Sequence, residues 1–179
     1  MRLLILTARF PEYGYKGDQL RTRQLIELLG REHTLHVLSG GPPSSREALR
    51  DVQRLARVTV ADPGLVARTL GALGSLARGR PAQVGWMAPR RLRQLAAAAA
   101  VDSDAVIAST VRVMFAPLAV PVIVDHIDAL SANLHERSRL EPNPLLRLAA
   151  SAEALLMKRH ERSVSRWATA LLLSTDNCP

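Results

Sequence analysis

Cysteine is nearly absent: the 179-residue chain holds one, Cys178, next to its last residue. A single thiol excludes any internal disulfide, and in that position it reads as an inert tail residue rather than a nucleophile. Aromatic residues make up 3% of the chain, too few for the stacked platforms that hold single-stranded nucleic acid. No zinc-finger or RNP-type pattern replaces them, so nucleic acid is not an expected partner. No apolar run approaches the roughly 18–20 residues that span a bilayer. The opening residues are too few for a secretory signal and charge follows soon after them. The chain is therefore expected in the cytoplasm. No cluster of His, Cys, Asp and Glu shows metal-ligand spacing; His33 and His36 flank a strand start and read as surface residues.

Arginine is what the chain has in excess. Lys and Arg total 24 against 16 acids, a net charge of +8, and only Lys16 and Lys158 are lysines. Phosphates, nucleic acid or an anionic membrane surface are the partners such charge attracts. An Ala- and Arg-rich, Lys-poor chain is also what a GC-rich genome writes, with no partner implied. Both readings stay open on composition.

The first 29 residues carry the pattern around which the rest is organised. Leu3-Leu4-Ile5-Leu6 is a short apolar run of the kind that forms a strand buried on both faces. A loop with Pro11, Gly14 and Gly17 follows, then Leu20, Leu25, Ile26, Leu28 and Leu29 at helical spacing. Strand, glycine-bearing loop and helix make the opening unit of a doubly wound α/β sheet, whose ligands bind beyond the carboxyl ends of the strands. Asp18 is placed for a helix N-cap. The unpaired N–H groups of that helix end favour an anion, and Arg9, Lys16, Arg21 and Arg23 add positive charge, so a phosphate-bearing ligand is expected there. Neither GxGxxG nor GxxxxGK[ST] is present.

Further along, residues 33–38 alternate as a second strand and stop at Gly40-Gly41-Pro42-Pro43. Ser44 or Ser45 caps a helix to about residue 56, and Val58-Thr59-Val60 is a third strand. Asp62-Pro63 starts a helix carrying Leu65, Val66, Leu70, Leu73 and Leu76, which ends at Arg78-Gly79-Arg80-Pro81. Residues 88–100 are helical, 104–109 and 121–125 are strands, and Asn143-Pro144 caps the longest helix, ending near Trp167. Along it Arg147, Lys158, Arg159, Arg162 and Arg166 fall within about one third of the circumference, with Leu145, Leu156, His160 and Trp167 on another sector. That stripe is either a solvated face or a dock for anionic lipid. Residues 170–174 form a last strand. The spacing predicts one compact α/β domain with a doubly wound, mostly parallel sheet of about six or seven strands.

An ordered set of these residues resembles a known family. Arg9-Phe10-Pro11, Gly17-Asp18 with Arg21 and Leu25, His36-Val37, Gly79-Arg80-Pro81 with Gln83-Val84, Asp125 with Asp128-Ala129-Leu130-Ser131, and Glu153 with Glu161 before Leu173-Ser174 are similar to the N-terminal half of a GT-B, family 4-like retaining glycosyltransferase. The likeness is to the sugar transferases of bacterial exosortase and exopolysaccharide systems and covers nearly the whole chain. It implies the acceptor-side half of a two-domain Rossmann-like fold. The donor domain that grips the nucleotide-sugar is expected on a longer polypeptide or a separate subunit, and the chain alone is expected to be catalytically incomplete. It implies no resident cofactor, a nucleotide-sugar as co-substrate, a glycan or lipid-linked acceptor, and a place on the inner face of the cell membrane. Arg9, Gly14, Lys16, Gly17, Asp18, Arg21 and Asp125 would bind substrate or phosphate, with His126 and Asp128 at the transferred sugar. Asp125 and Asp128 read equally well as caps of the following helix. The competing reading is a non-catalytic membrane-docking or scaffold module using the Arg147-to-Arg166 stripe; a small-molecule-binding α/β protein unrelated to sugars is a third.

Overall fold

A computed structural model describes residues 1–14, 16–126 and 130–173. Six parallel strands lie in the order β3-β2-β1-β4-β5-β6. They are β1 (Arg2–Thr7), β2 (Thr34–Ser39), β3 (Arg57–Val60), β4 (Ala105–Ser109), β5 (Val122–His126) and β6 (Ala170–Leu173). Side chains are described throughout β1 to β5, and these five strands carry the core. This is the doubly wound order, in which the chain leaves the sheet's middle in opposite directions from β1 and β4.

Alternation along each strand divides the core between two faces. Leu3, Ile5, Val37 and Ile107 pack with Ile26 of α1 (Gly17–Leu29) and Val52 of α2 (Arg46–Gln53). Leu4, Leu6, Leu38, Val106 and Val124 pack on the other face. There they meet Leu92, Ala96 and Ala100 of α5 (Arg90–Val101), together with Met157 and Val164 of α7 (Pro144–Ser165). Leu4, Ile5 and Leu6 are fully buried; burying each such side chain stabilises by about 1.5–3 kcal/mol.

Between β3 and α5 stand α3 (Gly64–Leu76) and α4 (Ala82–Met87). The turn joining them uses Gly79 at φ 65°, the left-handed conformation that favours glycine. Ser75 Oγ donates to Pro81 O at 2.6 Å. A methyl on Gly85 would come within 2.0 Å of Gly71 O, and one on Gly71 within 2.3 Å of Gly85 O. The two helices therefore touch backbone to backbone, which only glycines permit. Glu153 of α7 docks the pair by accepting the N–H groups of Ala82 and Gln83, each at 2.9 Å.

Several sequence expectations change here. The leucine-rich side of α3 faces out: Leu65, Val66, Leu70, Leu73 and Leu76 are 45–74% exposed, because the inward side is the small-residue face. Pro63, not Asp62, is the residue before α3, with no side-chain cap. In α1 the buried positions are Thr22, Arg23 and Ile26, whereas Leu20 and Leu28 are exposed. The expected apolar sector of α7 shifts too: Leu145 is 76% exposed and the buried positions are Ala154, Met157, His160 and Val164. Ser45 and Asn143 cap α2 and α7 as expected, accepting from Ala48 N and from Leu145 N and Leu146 N. Finally, α6 (Leu130–Leu140), the helix expected to follow Asp125 and Asp128, precedes α7. Ser131 N donates to Glu161 at 3.2 Å, and Lys158 lies beside Ser131 and Ala132.

Candidate functional site at the switch point

The carboxyl ends of β1, β4 and β5 open into a cleft of about 260 Å³, lined by Arg9, Gly17, Asp18, Thr110, Val111, Arg112, His126 and Leu130. It lies where the strand order reverses, the place at which open α/β sheets bind their ligands. A hollow of about 510 Å³ lies between α5 and strands β1 to β3. Leu3, Leu35, Leu38 and Leu95 line it together with Arg2, His36, Arg57, Thr59 and Asp102, toward the amino ends of the strands and away from the switch point.

Each wall has a sequence cause. Thr7 ends β1, and its Oγ1 donates to Arg9 O at 2.8 Å, turning the chain so that Arg9 points across to α1. Arg9 Nη1 meets Asp18 Oδ2 at 2.5 Å. Lys16 occupies the N-cap position without a side-chain cap bond, so Asp18 belongs to the first turn instead. A carboxylate there satisfies the helix dipole. Thr22 Oγ1 donates to Asp18 O at 2.7 Å and stands 2.6 Å from Ser109 Oγ. With the threonine proton committed to Asp18, the serine donates, and α1 is pinned to the end of β4.

The next residue is strained. Thr110 has φ 81° and ψ 148°, a region that residues with a side chain rarely occupy. Its N–H donates to Asp125 O at 3.1 Å, which ties the ends of β4 and β5 together and holds the strain. Thr110 Oγ1 is buried with no hydrogen-bond partner among the described residues, and so is Asp125 Oδ1. The other oxygen of Asp125 accepts from Arg21 Nε at 2.7 Å. That bond raises the guanidinium pKa above its ordinary value, against the opposing effect of burial. His126 lines the cleft; burial holds its pKa below the ordinary 6.5, and the carboxylates of Glu161 and Asp125 oppose the shift. Behind the cleft, His160 Nε2 lies 3.2 Å from Val111 O. Since a carbonyl only accepts, Nε2 carries a proton there, and the short 3-10 turn Val111–Val113 is anchored to α7.

The structure brings together Arg9, Gly17, Asp18 and His126 in the cleft, with Arg21 and Asp125 paired beside it. Asp125 is therefore engaged with α1 through Arg21. Gly14 and Lys16 are exposed and do not line the cleft. Arg23 turns the other way, against Glu27 at 2.8 Å and over the Tyr13 ring. A methyl on Gly17 would meet nothing within 4 Å, so glycine is not needed there for packing. Asp128 lies outside the described residues. Thr110 was missed in the sequence; its only signal was a hydroxyl residue directly after the fourth strand.

No family model, curated protein or solved structure matches this chain.

Arg147, Lys158, Arg159, Arg162 and Arg166 are all exposed. Arg147 is drawn onto the α6–α7 connection, where it donates to Glu141 O at 3.1 Å. Among the described residues no group of three or more His, Cys, Asp or Glu side chains could hold a metal ion. No helix among them is long and apolar enough to cross a membrane.

Proposed function

We propose that this chain is the acceptor-side domain of a GT-B sugar transferase. In this reading the switch-point cleft receives a hydroxyl-bearing glycan or glycolipid acceptor, and a second domain holds the nucleotide-sugar. One observation carries the proposal. Two buried oxygens at the ends of adjacent strands, Thr110 Oγ1 and Asp125 Oδ1, have no partner among the described residues, beside a cleft lined by His126. A buried polar atom left unpaired costs about 1–3 kcal/mol, and a ligand rich in hydroxyl groups removes that cost. Arg9–Asp18 and Arg21–Asp125 are already cation–carboxylate pairs. A phosphate at the α1 end would compete with Asp18 for Arg9, whereas an uncharged sugar leaves both pairs intact.

The chemistry follows from the groups present. Burial keeps His126 neutral near pH 7, so its ring can accept a proton from a hydroxyl or donate a hydrogen bond to one. Asp125, held by Arg21 beside the cleft, keeps a negative charge next to His126. The leaving nucleoside diphosphate belongs to the donor domain, and transfer needs both halves.

Protein-observed NMR of the histidine rings, titrated with short alkyl glycosides as acceptor mimics and with nucleotide-sugars, tests this reading. Weak glycoside binding that perturbs the His126 ring signals, with no turnover, is the expected result. Tight nucleotide-sugar binding with transfer by the isolated chain overturns it.

The second reading, a membrane-docking or scaffold module, is supported by the five exposed apolar side chains of α3. Contiguous exposed apolar surface commonly marks an interaction site. Sedimentation with anionic vesicles at low and high salt separates the two readings, since docking aided by the exposed α7 cations Arg147, Lys158, Arg159, Arg162 and Arg166 weakens as salt rises.

A further inference from the structure

A second site follows from where the unpaired arginines gather. A groove of about 480 Å³ runs between the α3–α4 turn and the C-terminal half of α7, within the volume range of small-molecule sites. Arg78, Arg80 and Arg159 line it, with Phe115 and Trp167 as its apolar walls and no carboxylate among the lining residues. We propose that this groove binds a phosphate-bearing anion, gripped by Arg78 and Arg80 from one side and Arg159 from the other.

The charge balance supports this assignment. Arg2, Arg9, Arg21, Arg23 and Arg54 each have a carboxylate partner. Among the described residues many other arginines have none, and four of these, Arg78, Arg80, Arg93 and Arg159, gather around Phe115. Arg78 Nη1 donates to Gly74 O at 2.6 Å and Arg80 Nη1 to Phe115 O at 2.9 Å. Each contact fixes a guanidinium while leaving most of its five donors unused. The acids of α7 closest in sequence to the groove are engaged elsewhere: Glu153 on the α4 N–H groups, Glu161 on Ser131.

Arg93 reinforces the pattern. It stands over the Phe115 ring at 5.7 Å, and its Nε is buried without a hydrogen bond. Burial lowers its pKa, and Arg78, Arg80 and Arg90 lower it further by repulsion. A fold that holds like charges together with no counter-charge is relieved by an anion from outside, and the planar guanidinium fork matches phosphate oxygens. A free diphosphate and a lipid headgroup present the same chemistry.

Trp167 in the groove wall supplies a reporter. In a Trp86→Phe background it is the only tryptophan, since Trp86 and Trp167 are the two in the chain. Titration with inorganic pyrophosphate should change its fluorescence saturably, while sodium chloride at matched ionic strength should not. The double variant Arg78→Gln/Arg80→Gln, and separately Arg159→Gln, should weaken binding at least tenfold. Arg91→Gln, exposed and outside the groove, should leave it unchanged. Circular dichroism melts confirm that each variant is folded. Phosphatidylglycerol vesicles assign the source: binding displaced by pyrophosphate points to a headgroup, and pyrophosphate binding without vesicle binding points to a soluble ligand. No saturable signal, or an affinity in both arginine variants equal to that of the Trp86→Phe parent, overturns the proposal. Because this groove and the switch-point cleft are read by different residues, failure here leaves the acceptor proposal standing, and the reverse also holds.

Discussion

Replacing Thr110 by glycine should make the protein more stable and its cleft less competent. Thr110 is held at φ 81° and ψ 148°, a conformation that costs of order 1–3 kcal/mol for a residue with a side chain. Its hydroxyl oxygen is buried and has no partner among the described residues, a further cost of about 1–3 kcal/mol in the ligand-free protein. Against this, glycine forfeits about 0.5–1 kcal/mol through the greater freedom of the unfolded chain, and the lost methyl about 0.8 kcal/mol of burial. The balance favours Thr110→Gly by about 1–3 kcal/mol. For a chain of this length that raises the melting temperature by roughly 2–4 °C for each kcal/mol. Thr110→Ala separates the two causes, since it removes the hydroxyl but keeps the positive φ. Urea unfolding of the three proteins should rank glycine above alanine, with glycoside binding weakened in both variants. If glycine proves no more stable than alanine, the backbone is not strained at this position and the reasoning fails.

Other changes probe the supports of the site. Gly85→Ala forces a methyl within 2.0 Å of the Gly71 carbonyl and should destabilise by about 1–3 kcal/mol, read as a lower urea midpoint; an unchanged midpoint means α3 and α4 can separate freely. Glu153→Ala removes the acceptor of two α4 N–H groups and should cost about 1.5–3 kcal/mol. Glu153→Gln, which retains one acceptor oxygen, should lose less, and equal losses would mean these bonds are not what Glu153 contributes. Acid should weaken the fold through His160, whose pKa burial lowers from 6.5. Between its folded and unfolded values the unfolded chain binds the extra proton, so this contribution is present above about pH 6.5 and is lost as pH falls through the folded value. His160→Gln should therefore flatten the decline of urea stability below that pH, and an unaltered slope assigns the acid sensitivity elsewhere.

Short continuous apolar runs were enough to find the strands, because a sheet covered on both faces needs runs such as Leu3 to Leu6 and residues 105–108. The caps at Ser45 and Asn143 were legible for a local reason, each being satisfied within three residues of itself. The helix α4 escaped notice, and α6 was marked only by the acids that precede it. The six residues of α4 are too few to show a period, and α6 buries only Leu130 and Ser138 among its described positions, so its existence depends on α7. At the site, Arg9, Asp18 and His126 could be found because strand ends and a helix start place them. The Arg21–Asp125 pair joins residues 104 apart, and the strain at Thr110 arises from closing β4 against β5. Neither belongs to any local pattern.

The same distinction accounts for α3. Its leucines form a regular stripe, and a regular stripe is ordinarily the buried face of a helix. Here Gly71 and Ser75 face α4 instead, because the backbone contact with Gly85 admits no larger residue. Periodicity therefore locates two faces on this helix without saying which of them the domain itself covers. Small residues settle the inner one by steric necessity, and the leucines are left exposed beside the arginine groove that begins where α3 ends. A chain that keeps five large apolar side chains in water while leaving arginines unpaired at the end of the same helix has two kinds of unmet demand on one flank. Apolar contact answers one and an anion the other. Vesicle binding retained by the arginine variants but lost on Leu70→Ser/Leu73→Ser would assign the flank to apolar docking alone. Loss in both sets would show the two surfaces acting on one partner.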